Sequence, residues 1–287
     1  MKVTSWPAMG TVLELKIVGA PHWDAEAECR PLVAEWESRL SRFLADSDVA
    51  RLQEAGGDWV HVSPTTDEVL TLSLEAHDVT GGAFDVCANP ADLYTLGRVP
   101  SEESVGRPQP ESPYPLERRT ARSWRLARGH TLDLGGIAKG IVAEKLCDLA
   151  QRRGASGALV NFGSSSLTCF GHSESGEWRV ALRAPGRDRD AAIGYLPLSE
   201  GYSLSVSGHD ERGSHIISPF TADRKASNIS CAAVSAPHGG VAEYWSTALI
   251  VLGSAGLPRL TEHCPESKAA VITSDQVISS PHWFRPL

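Results

Sequence analysis

Nowhere in the 287-residue chain do apolar residues run on for the ~18 positions that a membrane-spanning helix needs. The opening Met1-Lys2-Val3-Thr4-Ser5-Trp6 has no apolar segment of the kind that heads a secreted protein. Cys-x-x-Cys pairs are also missing. The six cysteines (Cys29, Cys87, Cys147, Cys169, Cys231 and Cys264) are scattered, which argues against a disulfide framework or a zinc site and predicts buried thiols in a reducing compartment. Positive charge is in deficit, 27 Lys and Arg against 35 Asp and Glu, for a net −8. That balance argues against nucleic acid as a partner, and an anionic ligand would need a local cation or a metal. The expectation is a cytoplasmic protein without a membrane span.

What is present suits a globular chain with a sizeable core: 41% hydrophobic and 22% charged residues. Thr11–Val18 alternates like a strand, and His22–Phe43 carries Leu32, Val33, Trp36, Leu40 and Phe43 at helical spacing. A short helix is expected around Val49–Gln53. Another spans Ser63–Val79, with Ser63 or Thr65 as N-cap and Gly81-Gly82 as the stop. Residues 98–117, with five prolines, read as a surface loop, and the five arginines of Arg118–Arg128 as a solvated strand face. Strand patterns follow at Ala158–Asn161, Ser166–Phe170, Trp178–Leu182, Ala192–Pro197, Ser203–Ser207, Asn228–Ala236 and Ala269–Thr273, with an apolar helix at Val241–Leu252. Grouped strands with intervening helices predict an α+β fold built on antiparallel sheet. No repeat or linker interrupts it, so one domain over residues 1–287 is expected.

Asp133-Leu134-Gly135-Gly136-Ile137-Ala138-Lys139-Gly140 runs straight into a helical pattern through Ile141, Val142, Leu146 and Leu149. A glycine pair opening a helix lets backbone approach a ligand, and the first helical amides attract phosphate. Lys139 adds a cation one turn in. The plainer reading is a strand-to-helix turn with Asp133 as its cap. Three further clusters carry chemistry. Gly81-Gly82-Ala83-Phe84-Asp85 sets an acid after a helix stop. Ser205–Ile217 is a polar hairpin that brings His215, a candidate base, to the start of an apolar strand. Glu243 and Thr247 share one helix face, so both oxygens could reach one hard cation such as Mg²⁺.

In this order and spacing the clusters resemble the FAD:protein FMN transferase (ApbE) family over nearly the whole chain. The matching stretches are Ala8-Met9-Gly10-Thr11, Ser41-Arg42-Phe43, Gly82–Asp85, Asp133–Gly140, Leu159-Val160-Asn161, Ser207-Gly208, Glu211-Arg212-Gly213, His215-Ile216-Ile217 and Ser246–Leu249. The resemblance implies a T-fold-like arrangement of antiparallel sheets flanked by helices. It also implies Mg²⁺-dependent transfer of FMN from FAD to a Ser or Thr hydroxyl of a target protein, releasing AMP. Met9, Ala83, Phe84, Asp85, Asp133, Lys139 and Ile216 fall at flavin-binding positions. The Gly136 carbonyl, Glu243 and Thr247 fall at the metal positions, and His215 at that of the base for the accepting hydroxyl.

The chain also departs from the family pattern. Glu243 stands where the family usually has Asp, and Phe162-Gly163-Ser164-Ser165 lacks the acid that usually follows Asn161. Ser218-Pro219-Phe220-Thr221-Ala222 replaces an Asp-Pro-Arg-Thr-Gly run, and Asp210 replaces a Tyr. Hydrolysis of FAD to FMN and AMP, another acceptor, or flavin binding without catalysis are the alternative readings these changes leave open.

Overall fold

The structure, a computed structural model, describes residues 1–87, 114–183, 192–208, 216, 218–220, 228–273 and 275–287. The chain opens with β1 (Lys2–Ala8) and β2 (Thr11–Gly19), then α1 (Ala25–Leu40) and α2 (Asp48–Glu54). Next come β3 (Val60–His61), α3 (Pro64–Thr80), β4 (Leu116–Thr120), β5 (Ser123–Leu126) and α4 (Ala138–Arg152). Five strands follow: β6 (Ala155–Phe162), β7 (Ser166–Gly171), β8 (Trp178–Arg183), β9 (Ala192–Leu198) and β10 (Ser203–Gly208). The remainder is β11 (Ile229–Ala236), α5 (Gly239–Leu252), α6 (Gly256–His263), β12 (Lys268–Thr273), β13 (Val277–Ser279) and β14 (Arg285–Pro286).

Eight strands form one antiparallel sheet in the order β1-β2-β6-β7-β10-β11-β12-β13. Its strands alternate with period two, and each face meets a different core. On β6, Ala158, Val160 and Phe162 face the helices, whereas Leu159 faces the small sheet β14-β9-β8 with Trp178, Leu196 and Trp283. On β12, Ala269 and Val271 take the first face, Ala270 and Ile272 the second. Helices, large sheet and small sheet therefore stack as three layers, the α+β architecture expected. All six cysteines are free thiols, five of them buried. Among the described residues no helix is long and apolar enough to cross a membrane.

Local chemistry sets the ends. Ser63 caps α3, its Oγ accepting the Thr66 amide at 3.2 Å, and Gly81 ends it in the left-handed region at φ 64°. The first long helix is shorter than its periodicity suggests. Asp24 caps α1 through the Ala27 amide, and Ser41 turns extended, its Oγ accepting the Phe43 amide at 3.2 Å. Phe43 therefore lies beyond the helix and is exposed. The expected proline-rich loop lies outside the described residues up to 113, and its last part is strand, since β4 starts at Leu116. Arg118, Arg119 and Arg125 lie on strands, with Arg118 paired to Asp67 and Arg125 to Glu117, both at 2.7 Å. Arg122 sits in the β4–β5 turn and Arg128 beyond β5, so the expected single strand face holds for three of the five arginines.

Candidate functional site

Two hairpin tips and the end of β10 share one end of the large sheet. The β1–β2 turn is Met9 (φ 49°) and Gly10 (φ 74°), both left-handed, as a tight turn between right-twisted strands requires. Met9 is half-buried and packs on the main core. Beside it the β6–β7 turn runs through Gly163 (φ 59°) and Ser164 (φ 61°). The Gly163 amide donates to the Val12 carbonyl at 2.9 Å, and a Cβ on Gly163 would collide with Thr11 Oγ1. Asn161 Oδ1 accepts the Ser164 amide at 2.9 Å. Val206 donates to Ser165 O at 2.7 Å, which brings the end of β10 alongside.

Residues 83–87 and 133–136 are stitched together. Thr80 Oγ1 accepts the Phe84 amide at 3.0 Å as the chain leaves α3, and Ala83 and Phe84 are buried. The Asp133 amide donates to the Val86 carbonyl at 2.8 Å. Gly136 lies against the Phe84 ring, where an added Cβ would sit 3.3 Å from Cε2. Glycine here lets the backbone sit close to an aromatic face, where a Cβ would require the Phe84 ring to give by a few tenths of an ångström. Asp133 does not cap the helix: its Oδ1 accepts the Gly135 amide at 2.9 Å, and its Oδ2 lies 4.0 Å from Arg42 Nε. Ile137 precedes α4 with no side-chain cap.

Asp85 is exposed and its Oδ1 accepts twice at 2.8 Å, from the Cys87 amide and from Tyr114 Oη. Tyr114 stacks on His77 with centroids 3.9 Å apart, and burial foremost drives its phenol well above the usual range. Burial also pushes His130 down, against the opposing pull of Asp85.

The helices α4 and α5 complete the arrangement. They cross so closely that a Cβ on Gly140 would collide with the Gly239 backbone and come within 2.9 Å of Glu243 Cγ. Contact at this range places Lys139 beside Glu243: Lys139 Nζ donates to the Gly135 carbonyl and lies 3.9 Å from Glu243 Oε2. Glu243 is 4% exposed, and its Oε1 has no hydrogen-bond partner among the described residues. Leaving a carboxylate oxygen buried and unpaired is costly. One turn on, Thr247 Oγ1 lies 3.3 Å from Ser207 Oγ on β10. Glu144 on α4 accepts the Gly239 amide, binding the two helices at the start of α5. Burial foremost raises its carboxyl, while that amide and His238 pull it back down.

The expected residues therefore fall into connected groups. Asp133, Gly136 and Phe84 are joined through the stitched turns, and Lys139 joins Glu243 to the Gly135 carbonyl. Glu243 and Thr247 share a helix face, Met9 sits at the hairpin tip, and Ile216 is half-buried against the main core. His215 lies outside the described residues. Ser218 is buried, its Oγ accepting the Phe220 amide at 3.3 Å. Among the described residues no group of three or more His, Cys, Asp or Glu could hold a metal ion. A site here would rest on one carboxylate with a hydroxyl and a carbonyl, an all-oxygen set suited to a hard cation. Tyr114, Glu144 and Ser207's contact with Thr247 went unread in the sequence. Only Ser207 carried a signal, as part of the Ser207-Gly208 match.

The profile of the ApbE family matches residues 9–272. The chain is 27% identical over 272 residues to an FAD:protein FMN transferase of Klebsiella pneumoniae (strain 342), covering 85% of this chain and 77% of that one. It is 27% identical over 271 residues to the FAD:protein FMN transferase of Escherichia coli (strain K12), covering 86% and 76%. Among solved structures it is similar to the flavin transferase ApbE from Vibrio cholerae, with TM-score 0.84, 22% identity and 98% and 97% of the two chains covered. It is likewise similar to the apo form of the Pseudomonas stutzeri flavinyl transferase ApbE, with TM-score 0.79, 23% identity and coverage of 98% and 95%. With the family profile spanning most of its length, this chain belongs to the ApbE family.

Proposed function

We propose that this protein is a one-domain enzyme that transfers FMN from FAD to a Ser or Thr hydroxyl of an acceptor protein, with Mg²⁺ and with release of AMP. The carrying observation is Glu243: a buried carboxylate with one oxygen unpaired among the described residues and the other facing Lys139 at 3.9 Å. A buried charge left in that state suits a cation ligand. The names of the Klebsiella and Escherichia relatives support the same reading.

Glu243, the Thr247 hydroxyl and the Gly136 carbonyl would hold Mg²⁺, which when bound neutralises charge on the pyrophosphate oxygens. Lys139 contributes a second positive charge toward the phosphates. Met9, the Ala83–Phe84–Asp85 turn, Asp133 and Ile216 would hold the flavin nucleotide. His215, proposed from its motif, takes the proton of the acceptor hydroxyl. The acceptor oxygen forms a bond to the phosphorus of the FMN half, the bridging P–O bond breaks, and AMP leaves with the bridging oxygen.

The test is mass spectrometry after incubation with FAD, Mg²⁺ and a Thr-containing acceptor protein. An acceptor heavier by one FMN, with AMP in equal amount, is the expected result. FMN and AMP without a linked product, or FAD bound without turnover at any divalent metal, would overturn it.

A further inference from the structure

We propose that Ser207 and Ser246 set the direction of the Thr247 hydroxyl, making them positioning residues for the cation site. The inference rests on the reading of Thr247 as a metal ligand given above.

A hydroxyl has one proton and two lone pairs, so a ligating hydroxyl must send its proton elsewhere. The Ser246 hydroxyl faces two acceptors, the Glu243 carbonyl at 3.0 Å and Ser205 Oγ at 2.9 Å, so its single proton is committed to one of these two. Toward Ser207 Oγ, 2.9 Å away, Ser246 can then only accept. Ser207 must therefore donate to Ser246, which leaves Ser207 Oγ to accept across its 3.3 Å contact with Thr247. By elimination the protons run from Thr247 to Ser207 to Ser246, whose own proton goes to the Glu243 carbonyl or to Ser205 Oγ. The Thr247 proton is drawn toward β10, and its lone pairs are left for a ligand.

Burial fixes the inner end of this order: Ser246 is fully buried and Ser205 nearly so, so water cannot substitute there, while Ser207 and Thr247 are half-buried. Ser207 on β10 thus touches two neighbouring hydroxyls of α5, Ser246 and Thr247, so the ligand-bearing helix is referred to that strand. Outer partners of this kind orient metal ligands, and their loss weakens metal affinity by roughly 10–100-fold.

The test is a Mn²⁺ titration of the full chain with saturating FAD and no acceptor, read by electron paramagnetic resonance. FAD affinity in EDTA and the thermal midpoint are measured in parallel. Ser207→Ala is expected to raise the Mn²⁺ dissociation constant by about 10-fold or more, with FAD affinity in EDTA unchanged. Ser207→Thr, which keeps the hydroxyl, is expected to retain wild-type affinity, and Thr247→Ala to be at least as weak as Ser207→Ala. Ser246→Ala removes the same link from the other side and serves if Ser207→Ala does not fold. Wild-type Mn²⁺ affinity in Ser207→Ala overturns the inference, as does a parallel loss of metal-free FAD binding. A wild-type protein that binds no Mn²⁺ overturns the reading of Thr247 itself.

Discussion

Lys139 Nζ donates to the Gly135 carbonyl and lies 3.9 Å from Glu243 Oε2, so one ammonium joins the turn before α4 to the buried acid of α5. The pair holds two formal charges close together at the mouth of the α4–α5 crossing, and removing one leaves the other uncompensated. Glu243→Gln is therefore expected to abolish the Mg²⁺ response of AMP release and to lower turnover by at least roughly 100-fold, the upper end of outer-partner losses. Glu243→Asp keeps a carboxylate and should keep a Mg²⁺ response. Turnover against Mg²⁺ concentration for the three proteins decides it. A Gln variant with the wild-type response would remove Glu243 from the metal site.

The Lys139–Glu243 approach depends on how closely the two helices cross. Gly140 and Gly239 meet backbone to backbone, with Glu243 Cγ beside them. In Gly140→Ala a methyl must displace the Gly239 carbonyl, and rigid backbone gives little. The expected cost is about 1–3 kcal/mol or more of stability, despite alanine's better helix propensity. Urea unfolding measures the change, and a stabilised variant would contradict the close crossing.

These contacts show where the sequence could be read and where it could not. The Asp133–Gly140 turn was legible because glycine and helical periodicity are local signals. Asp133 still resisted, since its partner is Gly135 and not a helical amide, a choice made by backbone conformation. Strands were legible where both faces are buried by apolar residues, as on β6 and β12. Helical spacing overshoots the end of α1, because Phe43 keeps that spacing after Ser41 has turned the chain. The serine relay was illegible for another reason. Ser207 meets Ser246 and Thr247 across 39 and 40 residues, and only packing of α5 on β10 brings them together. Glu144 likewise reads as a solvated helix residue until α5 lands on it.

Glu144 also makes stability depend on pH. Burial raises its folded-state carboxyl above the ordinary value of 4.5, despite the Gly239 amide, His238 and Lys145. A raised acid binds its proton more tightly when folded. Its contribution is then fully present below the unfolded value and lost as pH rises through the folded one. Wild type should therefore lose stability relative to Glu144→Gln as pH climbs above about 4.5. Gln keeps an acceptor for the Gly239 amide and does not ionise. Unfolding free energies of both proteins from pH 4 to pH 7 test this, and a constant difference would mean that Glu144 does not titrate abnormally.

His215 carries the remaining prediction, because proton removal and flavin binding are separable events. A base that serves only the acceptor hydroxyl touches neither the affinity for FAD nor the cation ligands. His215→Ala is expected to cut transfer by about 10²–10⁴-fold, the usual worth of a positioned general base, with the FAD dissociation constant unchanged. Raising the pH should narrow the gap, since the acceptor alcohol then loses its proton more readily without help. Flavin-linked product is followed by in-gel fluorescence and FAD binding by fluorescence quenching. Undiminished transfer excludes His215 as the base, and a parallel loss of FAD affinity places it in the flavin pocket instead.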